Sequence, residues 1–575
     1  MRWVRGAKWP DASLWHRHSQ TGVSLDRMVL SLNSQVNSQV LPEPRALSEE
    51  QLVNYLTKQT DPMAGPERGR WEVAAEGDGW RLSSSLSFPV NLHFQLGHAV
   101  DWFGLEDTEP QSEALWRLGL GFLPSLLLAS EDMELVNEQF ESLWDFTQTP
   151  QWEERRAWMT SLDHALATRV RAICTVSCLY FERGWELPES ARHLLQYDLD
   201  LINADPEQFI KVSNHGAMVA IALLHADLLF TNLEPGLHDL AISSLNMIVR
   251  EIFDEQGVAG ENSPEYQIYW ITLLSPISLM LEVWQRPDLS ELDVTEAVEA
   301  ARRALRHFTD QAGNILPIGD SHPRKSPVDP VRDAVLITEQ QGFAIYSERD
   351  SQFTFNCGHT NYAHKHCDDT SITLSYRGVP LLTDGGFFGH DWNDPKVIYT
   401  KSQSAHSGLF LEEFDDLHPG LLHFPGRELL RSGMRAKPER EFRVEGWVDV
   451  VADGRRLSRT VEALSPTRFT LEDHVFSNGA DGFAAVRRFL APSGARVRVS
   501  ERTVTLSYQG VQLRIAYDPA DTPSPVRLDA AVASPQFRGW ISPKLSVLEA
   551  AVCIEIPIAL DTHAITRLYV GPAEA

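Results

Sequence analysis

The hydrophobic residues of this chain change their spacing once, near Pro317, and this change constrains the fold more than any other feature of the sequence. Before that point, apolar residues recur at helical spacing, as in the run from Leu115 to Leu126. After it, apolar and polar residues alternate, which is typical of strands with one buried face. Turn signals such as Arg377-Gly378 separate the alternating segments. We therefore predict helices first and antiparallel strands second.

The predicted fold class is α+β multidomain, because a chain of 575 residues exceeds what one hydrophobic core normally spans. Residues 1–75 are predicted to be an irregular N-terminal extension with some helix, near Leu47 to Thr57. Residues 76–320 are predicted to be the helical catalytic domain, with roughly eight to ten helices between residues 90 and 310 and no alternating strands, which favours an all-α array. Residues 321–575 are predicted to form an antiparallel β-sandwich. The stretch Gly313 to Val331, rich in Pro and Asp, is the predicted linker.

Charge and composition narrow the choice of partner. The chain has 51 Lys+Arg against 79 Asp+Glu, a net charge of -28, which argues against nucleic acid and against an anionic membrane. Five cysteines in no small-domain spacing argue against a disulfide framework. The first ten residues lack the apolar stretch of a secretory signal, and no run approaches the roughly 20 apolar residues of a membrane span. A removed leader would leave the same pattern, so the localisation stays open. The oligomeric state stays open as well.

The first segment with candidate chemistry is Asn214-His215, just before the apolar run Val219 to Phe230. Ser213 or Asn214 suits an N-cap, which places His215 in the first helical turn. A helix start exposes backbone N–H groups and the positive end of the helix dipole. An amide and an imidazole placed there can meet a substrate carboxylate. The alternative is that both residues only begin the helix.

The second segment is Glu261-Asn-Ser263-Pro264-Glu-Tyr266. Serine followed by proline predicts a helix start, because proline suits the first helical position and serine caps it. Tyr266 then lies in the first turn, where a purely structural tyrosine is the alternative. In a ring of antiparallel helix hairpins, the two helix starts would lie on the same rim.

The third segment, His359 to Asp368, concentrates histidine and aspartate. We predict a strand there, on which His364 and His366 point to one face. The next turn then brings Asp384 towards the same region. Two imidazoles and a carboxylate around an open position suit zinc. The alternative is that these are ordinary core or surface histidines.

Taken in order, the motifs resemble those of the heparinase II/III-like polysaccharide lyases, from about residue 90 to residue 575. The resemblance implies an N-terminal (α/α) toroid followed by a C-terminal antiparallel β-sandwich. It also implies β-elimination of uronate-containing acidic polysaccharide, foremost glycosaminoglycans such as heparan sulfate, chondroitin sulfate or hyaluronan, with alginate as an alternative. The matching residues are Asn214-His215, Tyr266 in Glu-Asn-Ser-Pro-Glu-Tyr, His364-Lys-His366-x-Asp368, Asp384-Gly-Gly and Ala405-His406-Ser407.

The same resemblance implies roles for four catalytic residues. Asn214 would neutralise the uronate carboxylate, and His215 would assist it or act as the base. Tyr266 would be the general acid, and its phenol is also a candidate base. His364 would be a second catalytic imidazole that reaches the site from the sandwich.

The resemblance further implies a site for one divalent metal ion. Its ligands would be His366, Asp384 and His406. Zinc is the first expectation, with manganese or calcium as alternatives, and the role expected is structural. Many relatives carry Asn-Thr after the last histidine, where this chain has Ser407-Gly408.

Two rival functions remain compatible with the sequence. A glycoside hydrolase on a similar helical toroid would use two carboxylates, with Asp254, Glu261 and Glu265 as candidates. A non-catalytic glycan-binding protein would keep the fold without the chemistry. A lyase product carries a C4=C5 double bond that absorbs in the ultraviolet, whereas a hydrolase product does not.

Overall fold

The computed structural model describes residues 41–58, 71–77, 79–85, 91–96, 115, 117–157, 159, 162–284, 292–415, 418, 420, 429–480, 483–533 and 536–573. Helices form the first part of this structure and sheets the second, so the fold is an (α/α) toroid followed by an antiparallel β-sandwich. The helices are α1 (Glu49–Lys58), α2 (Leu123–Ser130), α3 (Met133–Thr147), α4 (Pro150–Arg156), α5 (Leu162–Arg183), α6 (Glu189–Ala204), α7 (Pro206–Phe209), α8 (Asn214–Leu229), α9 (Leu237–Ile252), α10 (Pro264–Trp284), α11 (Val294–Leu305) and α12 (Pro395–Lys401).

The helical part is organised around α8, which packs against α5 and α9. From Gly216 onward almost every residue of α8 is buried, because its side chains are apolar on all faces. Helix α10 packs against α11 and α1, and α3 packs against α6. Within the described ranges, no helix is long and apolar enough to cross a membrane.

The strands of the first part and the early sandwich are β1 (Glu43–Pro44), β2 (Trp71–Glu76), β3 (Gly79–Ser85), β4 (Asn91–Leu96), β5 (Phe230–Thr231), β6 (Ala334–Thr338), β7 (Phe343–Glu348), β8 (Ser351–Asn356), β9 (Ser371–Tyr376), β10 (Val379–Leu382), β11 (Leu409–Leu411) and β12 (Leu430–Ala436). The later strands are β13 (Arg443–Val450), β14 (Arg456–Ser465), β15 (Arg468–Phe476), β16 (Ala485–Ala491), β17 (Arg496–Val499), β18 (Thr503–Tyr508), β19 (Val511–Ala516), β20 (Arg527–Ala530), β21 (Trp540–Lys544), β22 (Val547–Ala550), β23 (Val552–Ile558) and β24 (His563–Pro572).

Three antiparallel sheets build the sandwich. Their strand orders are β10-β9-β8-β7-β6, β11-β16-β23-β20 and β12-β13-β14-β15-β24-β19-β18-β17. In β13 every second residue is buried, as expected for a strand with one face on the core. Phe355 from the first sheet, Ile556 from the second and Leu471 from the third belong to one hydrophobic cluster. The alternation that predicted strands is therefore the signature of this shared core.

The predicted turns and the first helix agree with the structure. Helix α1 occupies the position predicted near Leu47 to Thr57, and Arg377-Gly378 joins β9 to β10. The five cysteines, all among the described residues, are buried and are not joined by disulfides. Residues 1–40 of the predicted N-terminal extension lie outside the described residues.

Two parts of the fold differ from the prediction. Strands β2, β3 and β4 form a three-stranded sheet that was not predicted, although β4 alternates polar and apolar residues as the later strands do. The predicted strand carrying His364 and His366 is wrong, since residues 357–370 form a loop between β8 and β9. The physical reason is charge: buried Lys365 pairs with Asp368 and Asp369 inside the loop, which a paired strand would keep apart.

The predicted linker is more than a connector. Residues 306–333 join α11 to β6, and within them Asp320 and Ser321 are 1% and 0% exposed. A domain boundary at residue 320 stays a prediction. The position of residues 306–333 matters, because this partly buried segment lies between the helical part and the loop 357–370.

Candidate active site and metal centre

The start of α8 holds Asn214 and His215 as predicted. The Ser213 hydroxyl accepts a hydrogen bond from the Gly216 N–H at 3.2 Å, so Ser213 is the N-cap and Asn214 the first helical residue. A Cβ on Gly216 would lie 1.9 Å from the Lys211 carbonyl oxygen. Only glycine allows the preceding chain to pass this close to the helix start.

The His215 imidazole is held from the neighbouring helix. Its Nδ1 lies 3.2 Å from Oδ1 of Asp163, and a third of the side chain (33%) remains exposed. Burial raises the pKa of Asp163, but the hydrogen bond and charge of His215 outweigh it, so that this pKa is lowered. An ionised Asp163 fixes the ring orientation and leaves Nε2 of His215 as the nitrogen that can reach a substrate.

Tyr266 lies in the first turn of α10 as predicted, with its N–H directed to the Ser263 hydroxyl at 3.4 Å. Its side chain is 7% exposed and stacks on His364, with ring centroids 3.3 Å apart and planes 20° apart. Burial raises the pKa of Tyr266, and the negative charges of Asp320 and Glu261 raise it further. The side chain is therefore a protonated phenol at neutral pH.

His364 reaches this position from the loop 357–370. Its backbone has a φ of 58°, in the left-handed region, so it turns the chain sharply at that point. The amide of Asn262 donates to the carbonyl oxygens of Asn361 at 2.7 Å and Ala363 at 2.9 Å, which fixes the loop to the start of α10. The His364 side chain is 19% exposed, and its Nδ1 lies 2.9 Å from Oδ2 of Asp320.

Glu261 connects the two helix starts with His364. It is 1% exposed, and burial raises its pKa. The charges of His364 and His215 and the backbone N–H of Asn214 act in the opposite direction on that pKa. One buried carboxyl group thus faces three of the four predicted catalytic residues.

The predicted metal ligands also lie together. Ligand atoms of His366, Asp384 and His406 are all within 4.8 Å of one another, and the three residues are buried. Nδ1 of His406 lies 2.8 Å from Oδ2 of Asp384. Among the described residues, Nδ1 of His366 and Nε2 of His406 have no hydrogen-bond partner. Because unpartnered buried nitrogens are costly, two such atoms beside a carboxylate fit a divalent ion well.

Comparisons with known proteins agree with this arrangement. The sequence profile of a family described as Heparinase II/III-like, C-terminal, matches residues 337–548, which include the loop with His364 and His366 and all three candidate ligands. Residues 337–548 are therefore similar to the C-terminal domain of the heparinase II/III-like family. No curated protein matches the sequence.

Solved structures of this family share the fold at low sequence identity. A heparinase III with methylated lysines has a TM-score of 0.61 at 12% identity, covering 95% of this chain and 88% of that one. Another heparinase III has a TM-score of 0.60 at 13% identity, with coverages of 95% and 89%. A mutant of heparan sulfate lyase HepC from Pedobacter heparinus has a TM-score of 0.57 at 13% identity, with coverages of 84% and 80%. These likenesses concern the fold.

Sequence reasoning missed Asp320 at the centre of this site. Its carboxylate lies against both His364 and His366, and Lys401 donates to it as well. Lys401 is 2% exposed, with its ammonium 5.0 Å from the ring centre of Phe387. The available signal was weak, because a Gly-Asp pair in a Pro-rich stretch is typical of a turn.

Two of the three carboxylates named for the rival hydrolase mechanism, Asp254 and Glu265, are engaged elsewhere, whereas Glu261 lies in the site. Asp254 accepts from the N–H groups of Gln256 and Val258, each at 2.9 Å, and from a threonine hydroxyl. Glu265 accepts from Nε of Arg324 at 2.9 Å, and this arginine with His322 lowers the Glu265 pKa against the effect of burial. Neither residue therefore offers a carboxyl group suited to protonating a leaving group.

Proposed function

We propose that this chain cleaves uronate-containing acidic polysaccharide by β-elimination and releases unsaturated oligosaccharides. The observation that carries the proposal is the stack of Tyr266 on His364, with ring centroids 3.3 Å apart. It joins a phenol from the helical part to an imidazole from the sandwich. Glu261 lies beside this pair and receives the Asn214 N–H, so the start of α8 belongs to the same site.

The first task of such a site is to make the C5 proton of the uronate acidic. That proton lies next to a carboxylate and is a poor acid while the carboxylate keeps its full charge. The Asn214 amide and the His215 imidazole, at the start of α8, can donate hydrogen bonds to it. Preorganised donors of this kind stabilise an enolate-like intermediate by about 3 kcal/mol each.

The second task is proton transfer. Because Nδ1 of His364 is bound to Asp320, its Nε2 is the nitrogen that can take the C5 proton. His215 remains a second candidate for the base. The raised pKa of Tyr266 suits it as the general acid that protonates the glycosidic oxygen as the bond from that oxygen to C4 of the uronate breaks and the C4=C5 double bond forms. A positioned acid or base contributes on the order of 10²- to 10⁴-fold, and no hydrolytic water takes part.

We assign His366, Asp384 and His406 to one divalent ion, with zinc first and manganese or calcium as alternatives. Two imidazoles and one carboxylate suit zinc. When bound, the ion would supply a fixed positive charge that holds three separate segments of the sandwich together. His364 lies only two residues from His366, so the ligands bear on how that imidazole is held.

The substrate class follows from the chemistry and from the relatives. Related structures are named as heparinase III and as a heparan sulfate lyase, which supports heparan sulfate as the first polymer to test. Chondroitin sulfate, hyaluronan and alginate are the alternatives. In an acidic chain, His215 and His364 are partly exposed imidazoles that can meet an anionic sugar.

The purified protein should be incubated with each of these four polymers while ultraviolet absorbance and chain length are followed. We expect absorbance to rise with shortening of at least one polymer. Shortening without absorbance would favour the hydrolase instead. Binding to a polymer without shortening it would favour the glycan-binding rival.

A further inference from the structure

Asp320 is 1% exposed, and both of its carboxylate oxygens contact other side chains. Oδ2 lies 2.9 Å from Nδ1 of His364, and Oδ1 lies 2.8 Å from Nε2 of His366. Lys401 also donates to Oδ1. One side chain thus contacts the proposed catalytic imidazole and a proposed metal ligand at the same time.

The backbone around Asp320 is built for this position. Gly319 has a φ of +56°, and a Cβ there would lie 2.3 Å from the carbonyl oxygen of Asn262. The Ser263 hydroxyl donates to the Asp320 carbonyl oxygen at 3.1 Å and contacts the Ser321 hydroxyl at 2.8 Å. The segment is therefore fixed to the start of α10, the same turn that carries Tyr266.

Three side chains surround the Asp320 carboxylate: the His364 and His366 imidazoles and the Lys401 ammonium group. A carboxylate in such surroundings accepts hydrogen bonds and donates none. Each histidine therefore presents an N–H to it, which leaves Nε2 of His364 and Nδ1 of His366 as the other ring nitrogens.

We propose that Asp320 is a positioning residue shared by the two histidines, and that it couples occupancy of the metal site to the orientation of His364. An ion on Nδ1 of His366 fixes that ring, and its Nε2–H then holds one oxygen of Asp320. The other oxygen fixes the tautomer of His364. Carboxylates that orient metal-bound histidines act in this way, and their loss typically costs about 10- to 100-fold in metal affinity or activity. The proposal rests on the function proposed above for its catalytic half.

Asp320→Asn is the informative variant, because asparagine keeps the size but offers one acceptor oxygen in place of two. At least one histidine N–H must lose its acceptor. We expect zinc affinity, measured by competition with a chelating dye, to fall about 10- to 100-fold. With nitrogen-labelled histidine, NMR should show a changed tautomer for His364 or His366. Turnover should fall about 10- to 100-fold while KM changes less than about 3-fold.

Asp198→Asn is the matched control. Asp198 is also fully buried and also uses both oxygens, on Arg169 at 2.5 and 2.7 Å, within the helical part. This variant should lose stability without changing zinc affinity or either tautomer. The zinc and NMR measurements need no turnover, so they decide the proposal even if no polymer is cleaved. Wild-type zinc affinity together with wild-type tautomers in Asp320→Asn would overturn it.

A second measurement uses the unaltered protein, in case Asp320→Asn fails to fold. Zinc is removed with a chelator and returned while the His364 resonances, assigned with His364→Gln, are followed by NMR. We expect His364, which is not a ligand, to change from mixed tautomers to one tautomer as zinc binds. Identical His364 spectra with and without zinc would overturn the coupling.

Discussion

At the scale of single residues, the protonation state of Tyr266 decides its role. Burial and the nearby carboxylates Asp320 and Glu261 raise its pKa, so the phenol holds its proton at neutral pH and can give it to the leaving oxygen. To act as the base, the phenol would first have to lose its proton beside two negatively charged carboxylates. In the proposed mechanism the phenol is therefore the acid and an imidazole is the base.

The first prediction is that Tyr266→Phe abolishes turnover and preserves binding. We expect kcat to fall about 10²- to 10⁴-fold, because the acid is lost, while the dissociation constant for the polymer stays within about 3-fold. Ultraviolet absorbance reports the first quantity and calorimetry the second. Tyr269→Phe is the control, since its ring lies 5.9 Å from that of Tyr266 and its hydroxyl contacts the Met218 sulfur at 3.5 Å. Equal activity in the two variants would remove Tyr266 from the mechanism.

At the scale of elements, two helix starts carry the site, and both were predictable from sequence. Ser213 and Ser263 are N-cap residues, because the hydroxyl of each accepts a hydrogen bond from a backbone N–H in the first turn of its helix. The loop 357–370 was not predictable, because His364 and His366 have the i, i+2 spacing of two residues on one face of a strand. Its shape depends on buried ion pairs and on a left-handed residue, which arise only from tertiary contacts.

Asp320 escaped prediction for a related reason. Its importance comes from partners that lie 44, 46 and 81 residues away in the sequence. No local spacing reports such contacts. The residues that were found, Asn214, His215 and Tyr266, each lie at a helix start that local sequence defines.

The second prediction concerns the start of α8. Gly216→Ala should lower the melting temperature and abolish most turnover, because its Cβ would lie 1.9 Å from the Lys211 carbonyl oxygen and displace Asn214 and His215. Gly571→Ala is the control, since nothing lies within 4 Å of its Cβ position. Thermal unfolding and the absorbance assay measure both effects. Full activity in Gly216→Ala would mean that the helix start has no part in the chemistry.

The third prediction concerns pH and the start of α10. The pKa of Glu265 is lowered in the folded protein from its ordinary value of 4.5, so its ion pair favours folding above that pH and ceases to do so as the carboxyl group protonates. Glu265→Gln should cost about 1–3 kcal/mol at neutral pH. Its melting temperature should approach that of the wild type as pH falls below about 4.5. A constant difference at all pH values would contradict this.

At the scale of the whole molecule, the site depends on both parts of the chain. Tyr266 comes from the toroid and His364 from the sandwich, while Asp320 lies in the segment that joins them. The change of hydrophobic period predicted these two layers and their order. It did not predict the small sheet of β2, β3 and β4, which precedes that change and lies in the part of the chain predicted to be irregular or helical.

The fourth prediction concerns the metal centre as a stabilising element. Zinc at about 100 times its dissociation constant should stabilise the wild-type protein by about 2.7 kcal/mol, seen as a higher melting temperature. Asp384→Ala should lose this response and lower stability more than it lowers the chemistry of the remaining folded protein. A variant that keeps its melting temperature and loses all activity would show that the ion is catalytic.

The most direct test of β-elimination follows the fate of water during cleavage. The protein is given a uronate polymer in heavy-oxygen water, and the products are examined by mass spectrometry together with ultraviolet absorbance. We predict products that absorb in the ultraviolet, one double bond for each cleavage, with no heavy oxygen at the new ends beyond the slow exchange that the finished products show in the same water. Heavy oxygen at the new ends without absorbance would contradict the lyase mechanism and identify a hydrolase.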